Sequence, residues 1–323
     1  MATISSSLVL RLTVLTLTCL LGFGSYFCYD SPAALQNQME QALNLTNSEF
    51  MSLYAWYSWP NVFLCFVGGY LIDAVFGRRI AGLIFSMFVL VGQAVLAYGT
   101  SKSSLWLMDI GRLIFGLGGE TLAIVGNAYS VAWFSGSMLN LAFGMVLSVS
   151  RLGSTASLNA LAPLFNHLNQ TESADHNQAQ ILGETLSIAG LTCLGSFLIA
   201  LTLCFIDKKY MIENQNTDLE DEPLLSSNEN NNDTEILDEP DDLLIPDDSQ
   251  EIQNNNTWAE RLNFSSGAWL LFAICVFYYS SVFPLISQGV KFFHKWFHVD
   301  ESTARMLNSV VYRYEMNIWV KFV

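Results

Sequence analysis

A series of long apolar runs constrains this chain most, because a helix needs about 20 mostly apolar residues to cross the hydrocarbon core of a bilayer. Seven runs approach or exceed that length. They cover residues 8–29, 50–72, 80–98, 105–133, 138–165, 185–206 and 267–290. A further apolar stretch, 303–323, is interrupted by Arg313 and Glu315 and predicts only part of an eighth span. The sequence therefore predicts an all-α transmembrane protein.

Composition supports a membrane protein, since 52% of the residues are hydrophobic and only 13% are charged. The net charge of −15 is misleading, because the excess acid is confined to residues 213–251, which contain no Lys or Arg. The rest of the chain is neutral, so we expect no nucleic acid partner. The six cysteines fall within apolar runs, and their spacing predicts no metal site, cofactor site or disulfide framework.

The acidic segment also predicts the domain organisation. Residues 210–260 are rich in Asn, Asp, Glu and Ser and cannot bury enough apolar surface to order themselves. We interpret them as a disordered cytoplasmic linker. It separates a six-span half, residues 1–209, from the start of a second half, residues 261–323.

Basic residues predict the orientation of the spans. Arg78 and Arg79 lie in a very short joint between the second and third runs, and such residues favour the cytoplasmic side. Counting crossings from there places the N-terminus on the same side. It places the glycosylation sequons of Asn44 and Asn169 on the opposite side, where both become glycosylation candidates.

The joint GGYLIDAVFGRR, residues 68–79, resembles the signature loop of the major facilitator superfamily. The matching positions are Gly69, Asp73, Gly77, Arg78 and Arg79. In that family the Asp and Arg tie neighbouring helix ends together, so the resemblance implies the same role here. Ala74 departs from the pattern, as does one extra residue before Gly77. An ordinary positive-inside turn is the alternative.

Three charged residues inside the runs are candidates for function, because charges at membrane depth usually face a bundle interior or a cavity. Arg112 and Glu120 are eight residues apart in the fourth run and share one helix face with Gly116. Arg151 is the single charge in the middle of the fifth. A structural ion pair would hold helices together. The alternative is a site for a zwitterion near the midplane.

Longer matches extend the resemblance. RLIFGLGGE resembles a second facilitator signature. Together with SYFCYDSPAALQ and SRLGST it resembles the lysosomal dipeptide transporter family within that superfamily. That family implies an N-terminal six-helix bundle and export of dipeptides by uniport. It also implies a glycosylated lysosomal membrane protein as accessory partner. Glu120 and Arg151 match its substrate-charge residues, and Arg112 is a further candidate.

Aromatic residues near the ends of the first two runs allow two interpretations. Tyr29 and Trp56 belong to a cluster with Tyr26, Tyr57 and Trp59. An interfacial belt against membrane lipid is favoured. The alternative is that Tyr29 or Trp56 lines a substrate pocket.

The acidic linker contains two matches to the acid-x-x-x-Leu-Leu form that clathrin adaptors read for lysosomal delivery. They consist of Glu220 with Leu224 and Leu225, and Glu239 with Leu243 and Leu244. Such matches arise easily by chance in an acidic segment.

Competing classes find little support. A rhodopsin-like receptor or an intramembrane enzyme would need motifs that the spans lack, so we expect no enzyme. The resemblance fails after Tyr312, which favours a truncated isoform or an incomplete gene model. The alternative function is therefore a transport-inactive membrane subunit.

Overall fold

The computed structural model describes residues 2–171, 177–220 and 266–322, and these residues form helices and no strand. The helices are α1 (Ala2–Tyr29), α2 (Ser31–Ala34), α3 (Gln36–Leu43), α4 (Asn47–Tyr70), α5 (Gly77–Ser101), α6 (Leu105–Trp133), α7 (Ser137–Thr171), α8 (Gln178–Glu220), α9 (Ser266–Phe297) and α10 (Glu301–Phe322).

Among the described residues, five helices are long and apolar enough to cross a membrane, which confirms the prediction of an all-α transmembrane protein. The qualifying segments are 8–29, 77–101, 137–171, 178–210 and 269–297. Helices α4 and α6 have the length of spans but are not among the five. Within α6, Asp109, Arg112 and Glu120 lower the mean hydropathy, and the same helix contributes to the candidate site.

The described chain divides into two compact units, residues 1–212 with 283–323, and residues 213–282. In the first unit, α4 and α5 pack against α6, while α1 and α10 pack against α7. In the second, large apolar side chains of α9 are exposed, Trp269 and Phe277 among them. Proline residues lie inside α4, α7 and α9, which neighbouring helices and adjusted backbone hydrogen bonds tolerate in membrane spans.

The prediction of a short loop around Arg78 and Arg79 is wrong. Residues Leu71–Phe76 form a π-helical turn that leads from α4 directly into α5. Both arginines therefore lie in the first turn of α5, after Gly77 with its positive φ of 67°. The side chain of Asp73 lies outside the described residues, so its predicted role stays a prediction.

The segment after α1 is more ordered than its polar composition suggests. Helices α2 and α3 occupy it, and Leu35 and Met39 are fully buried. Glu40 of α3 forms an ion pair with Lys291 of α9 at 2.8 Å, and Gln36 donates to Gln288 at 3.2 Å. These contacts attach the segment to α9.

Helices α7 and α8 both run beyond their predicted ends. Helix α7 reaches Thr171, so Asn169 is exposed in its last turn rather than in a loop. Helix α8 continues to Glu220, into the predicted linker. The remaining residues of the two predicted sorting signals lie outside the described residues. These are Leu224, Leu225, Glu239, Leu243 and Leu244.

Candidate functional site

Arg78 and Arg79 meet one acidic residue on another helix. Asp207 of α8 accepts hydrogen bonds from Arg78 at 3.0 Å and from Arg79 at 2.6 Å, and Trp133 donates its indole N–H to the same carboxylate at 3.1 Å. Cations at a helix N-terminus oppose the helix dipole, so the buried carboxylate of Asp207 offsets an unfavourable placement. Sequence reasoning missed Asp207; the only signal was an acid directly before Lys208 at the end of a span.

Glu120 is exposed on α6 and accepts a hydrogen bond from the hydroxyl of Tyr57 on α4 at 3.0 Å. Glycine at position 116 permits this contact, because a Cβ there would overlap the backbone carbonyl of Tyr57. The second signature, RLIFGLGGE, therefore brings α4 close enough to α6 for a tyrosine to reach the carboxylate. Tyr57 was assigned to the aromatic cluster by sequence, and its contact with Glu120 was not anticipated.

Arg151 lies on α7, half-buried between two aromatic rings. Its guanidinium carbon is 5.3 Å from the ring centre of Tyr26 on α1 and 5.4 Å from that of Tyr312 on α10. Both distances fall within the range of cation–π attraction. The two rings therefore flank the guanidinium from α1 and from α10.

Asp30 extends this cluster beyond the end of α1. The hydroxyl of Tyr312 donates to its carboxylate at 2.9 Å, and both side chains are buried. Sequence reasoning did not single out either residue. The one available signal was that Asp30 is the charge that ends the first apolar run.

Arg112 has a different environment from Glu120, although both follow the same spacing on α6. Its side chain is only 1% exposed and donates to the backbone carbonyls of Cys28, at 3.4 Å, and Tyr29, at 3.2 Å. Those carbonyls belong to the last turn of α1, where a cation is favoured. Arg112 thus joins α6 to the end of α1, and we do not carry it into the proposed site.

The two aromatic candidates differ in their neighbours. Tyr29 packs against Tyr57, with ring centres 4.6 Å apart, and so lies beside the tyrosine that contacts Glu120. Trp56 is 38% exposed and hydrogen-bonds to Asp109, which also accepts from Ser52 at 3.0 Å. A pocket-lining role for Trp56 remains a prediction.

These contacts form two groups, Glu120 with Tyr57 and Tyr29, and Arg151 with Tyr26, and the candidate site combines the two. The site offers an acid on α6 and a base on the neighbouring α7, with tyrosine rings around them. A ligand that carries an ammonium and a carboxylate would complement both charges. Within the described ranges, no group of His, Cys, Asp and Glu side chains could hold a metal ion.

Known proteins resemble this chain over nearly its whole length. A zebrafish (Danio rerio) protein named lysosomal dipeptide transporter MFSD1 is 45% identical over 302 residues, which cover 94% of this chain and 58% of that protein. Its human (Homo sapiens) namesake is 44% identical over 308 residues, 95% of this chain and 59% of the relative. The chain thus spans less than two thirds of these relatives.

The family comparison is consistent with the signature motifs. The model of the Major Facilitator Superfamily matches residues 15–309. That range takes in both signatures, Glu120 and Arg151, and reaches into α10. The chain therefore belongs to the major facilitator superfamily.

Proposed function

We propose that this chain acts in the lysosomal membrane as a multi-pass carrier, not an enzyme, that exports dipeptides from the lumen to the cytosol by uniport with alternating access. The observation that carries the proposal is the pair of opposite charges, Glu120 on α6 and Arg151 on α7, beside tyrosine rings. The names of the relatives support the lysosomal membrane and the dipeptide substrate.

A dipeptide carries an ammonium at one end and a carboxylate at the other, and both lose water on entering the membrane. Glu120 would accept hydrogen bonds from the ammonium. Arg151 can bind the carboxylate through two parallel N–H donors and keeps its charge at any physiological pH. The Tyr57 hydroxyl donates to one carboxylate oxygen of Glu120, and the Tyr26 ring lies beside the Arg151 guanidinium. Both contacts restrict the orientation of the charged groups.

Partners follow from the same proposal. Membrane lipid surrounds the apolar helix faces, and the resemblance supports a glycosylated lysosomal membrane protein as accessory subunit. The two acid-x-x-x-Leu-Leu matches of the linker, which begin at Glu220 and Glu239, are the proposed sorting signals. They would bind clathrin adaptors. Replacing Leu224, Leu225, Leu243 and Leu244 by Ala should move the protein to the cell surface; unchanged lysosomal residence would refute these sorting signals.

The transport test compares the wild-type chain with Glu120→Gln, Arg151→Ala and Arg151→Lys in vesicles loaded with a radiolabelled dipeptide. The first two variants should abolish export. Arg151→Lys should weaken it, because lysine keeps the charge but loses the planar fork. Glu49→Gln changes an acid of the capping box at the start of α4, a position that also accepts Gln, and should export at the wild-type rate.

Protein yield must be measured with every variant, since a purely structural ion pair predicts loss of folding rather than loss of transport. Full export by a well-folded Glu120→Gln protein would refute the ammonium site. The alternative function is a transport-inactive membrane subunit or isoform. A folded wild-type chain that exports no dipeptide would favour that alternative.

A further inference from the structure

Tyr312 contacts both Asp30 and Arg151. Its hydroxyl donates to the Asp30 carboxylate at 2.9 Å, and its ring lies 5.4 Å from the Arg151 guanidinium carbon. Tyr312 and Asp30 are 0% and 1% exposed, so water competes little for either contact. Tyr312 thus holds an acid from the turn between α1 and α2 at its hydroxyl and a base from α7 beside its ring.

Two cations, Arg151 and Arg112, act on the Asp30 carboxylate, and the effect of Arg151 is the larger. The titratable and charged groups that act on it or respond to it come from five elements. They are Tyr29 at the end of α1, Tyr54 on α4, Arg112 on α6, Arg151 on α7 and Tyr312 on α10. Of the two cations, Arg151 affects the Asp30 carboxylate more strongly than Arg112 does. Both terminal nitrogens of Arg112 already donate to carbonyls of α1.

We propose that Asp30 is the internal counter-ion of Arg151, held beside it by Tyr312, and that it competes with the carboxylate of the substrate for this arginine. The inference rests on the proposed function, because it takes Arg151 as the group that binds the carboxylate. Asp30 itself is a positioning residue: it acts on the substrate through Arg151.

The protonation state of Asp30 decides whether it competes with a substrate for Arg151. Burial raises the pKa of Asp30 to about 6, even though the Ser154 and Tyr312 hydroxyls and the charge of Arg151 oppose that shift. Below that pH Asp30 is neutral and no longer competes with a substrate carboxylate for Arg151. Above it, ionised Asp30 neutralises Arg151. A dipeptide should therefore bind more tightly at pH 5 than at pH 7.

The size of the effect follows from the fraction of neutral Asp30. With a pKa of about 6, that fraction is roughly 0.9 at pH 5 and roughly 0.1 at pH 7, and apparent affinity scales with the competent fraction. The dissociation constant for a dipeptide should therefore rise about tenfold between these pH values.

The first experiment needs no substrate. The unfolding midpoint of the purified chain in detergent is measured between pH 4 and pH 8. Because the pKa of Asp30 is raised on folding, its contribution to stability is present at low pH and is lost as pH rises toward about 6. Asp30→Asn should remove this decline. Arg151→Gln and Tyr312→Phe each remove a group that favours the ionised form, so the decline should extend to higher pH.

The second experiment measures equilibrium binding of radiolabelled Ala-Ala at pH 5 and pH 7, with its C-terminal amide for comparison. The wild type should bind Ala-Ala about tenfold more weakly at pH 7. Asp30→Asn should bind equally at both, a gain of about tenfold at pH 7. The amide should show no such pH dependence. Glu49→Gln, which alters an acid of the α4 capping box on a different helix from Arg151, should keep the wild-type profile.

Two results would overturn the inference: an Asp30→Asn protein with the wild-type pH profile of unfolding, or one that gains no affinity at pH 7. A wild type that binds Ala-Ala at neither pH would refute the proposed function instead. The substrate-free profiles of Asp30→Asn and Arg151→Gln would still decide whether the two residues are coupled.

Discussion

Tyr57 on α4 donates its phenolic hydrogen to Glu120 on α6 across 3.0 Å, and this bond connects a signature motif to the candidate site. The contact depends on Gly116, one turn before Glu120, because any larger residue would meet the Tyr57 carbonyl. Gly116 in RLIFGLGGE therefore lets the backbone of α4 approach α6 closely. Glu120, which follows the glycines, is then oriented by Tyr57 of α4.

Tyr57→Phe removes one donor to Glu120 while keeping the ring. A hydrogen bond to a charged group contributes about 1.5–3 kcal/mol, and the exposure of Glu120 places the expected effect at the lower end. We expect dipeptide affinity to fall roughly tenfold, with little change in the unfolding midpoint. Equilibrium binding checks the first result and thermal unfolding the second. Unchanged affinity would show that Tyr57 does not orient Glu120.

Gly116→Ala should separate α4 from α6. The added methyl would overlap a backbone carbonyl, which cannot rotate away as a flexible side chain could. Overpacking of this kind typically costs about 1–3 kcal/mol, so the unfolding midpoint should fall. Gly195→Ala is the matched control, since nothing lies within 4 Å of the position of its added Cβ. Equal behaviour of the two variants would contradict the close approach.

Asp207→Asn should leave Arg78 and Arg79 without their shared anion. Removing one partner of a buried ion pair costs about 3–5 kcal/mol, and the partial exposure of both arginines reduces that to roughly 2 kcal/mol. Trp133→Phe, which removes one neutral donor, should cost about 1 kcal/mol. Thermal unfolding measures both. Lys208→Gln, an exposed neighbour, should change nothing, and an equal loss there would contradict the assignment.

Thr46 has two roles that variants can separate. It is the third residue of the Asn44 sequon, and its hydroxyl exchanges hydrogen bonds with Glu49 in a capping box at the start of α4. Thr46→Ala should lose the glycan and about 1 kcal/mol of stability. Asn44→Gln should lose the glycan and keep the capping box, at the separate cost of placing Gln at a positive φ of 52°. Thr46→Ser should keep both the glycan and the cap. Electrophoretic mobility reports the glycan and thermal unfolding the cap.

The sequence alone determined the fold class and the residues of opposite charge. Membrane-spanning runs are set by local apolar length, because a helix satisfies its own backbone hydrogen bonds whatever surrounds it. The same local signal identified Glu120 and Arg151, since charges are rare at that depth. It failed at the boundaries: α4 continues through Leu71–Phe76 into α5, and α8 passes the end of its apolar run.

Only the tertiary structure decided which polar groups meet. Asp207 joins Arg79 from more than a hundred residues away, Tyr312 joins Asp30, and Arg112 turns to the end of α1 while Glu120 remains exposed. Helical spacing gives the face of one helix, but the partner of a buried charge depends on how several helices pack. A side chain taken out of water must find that partner across helices, and no local pattern records the choice.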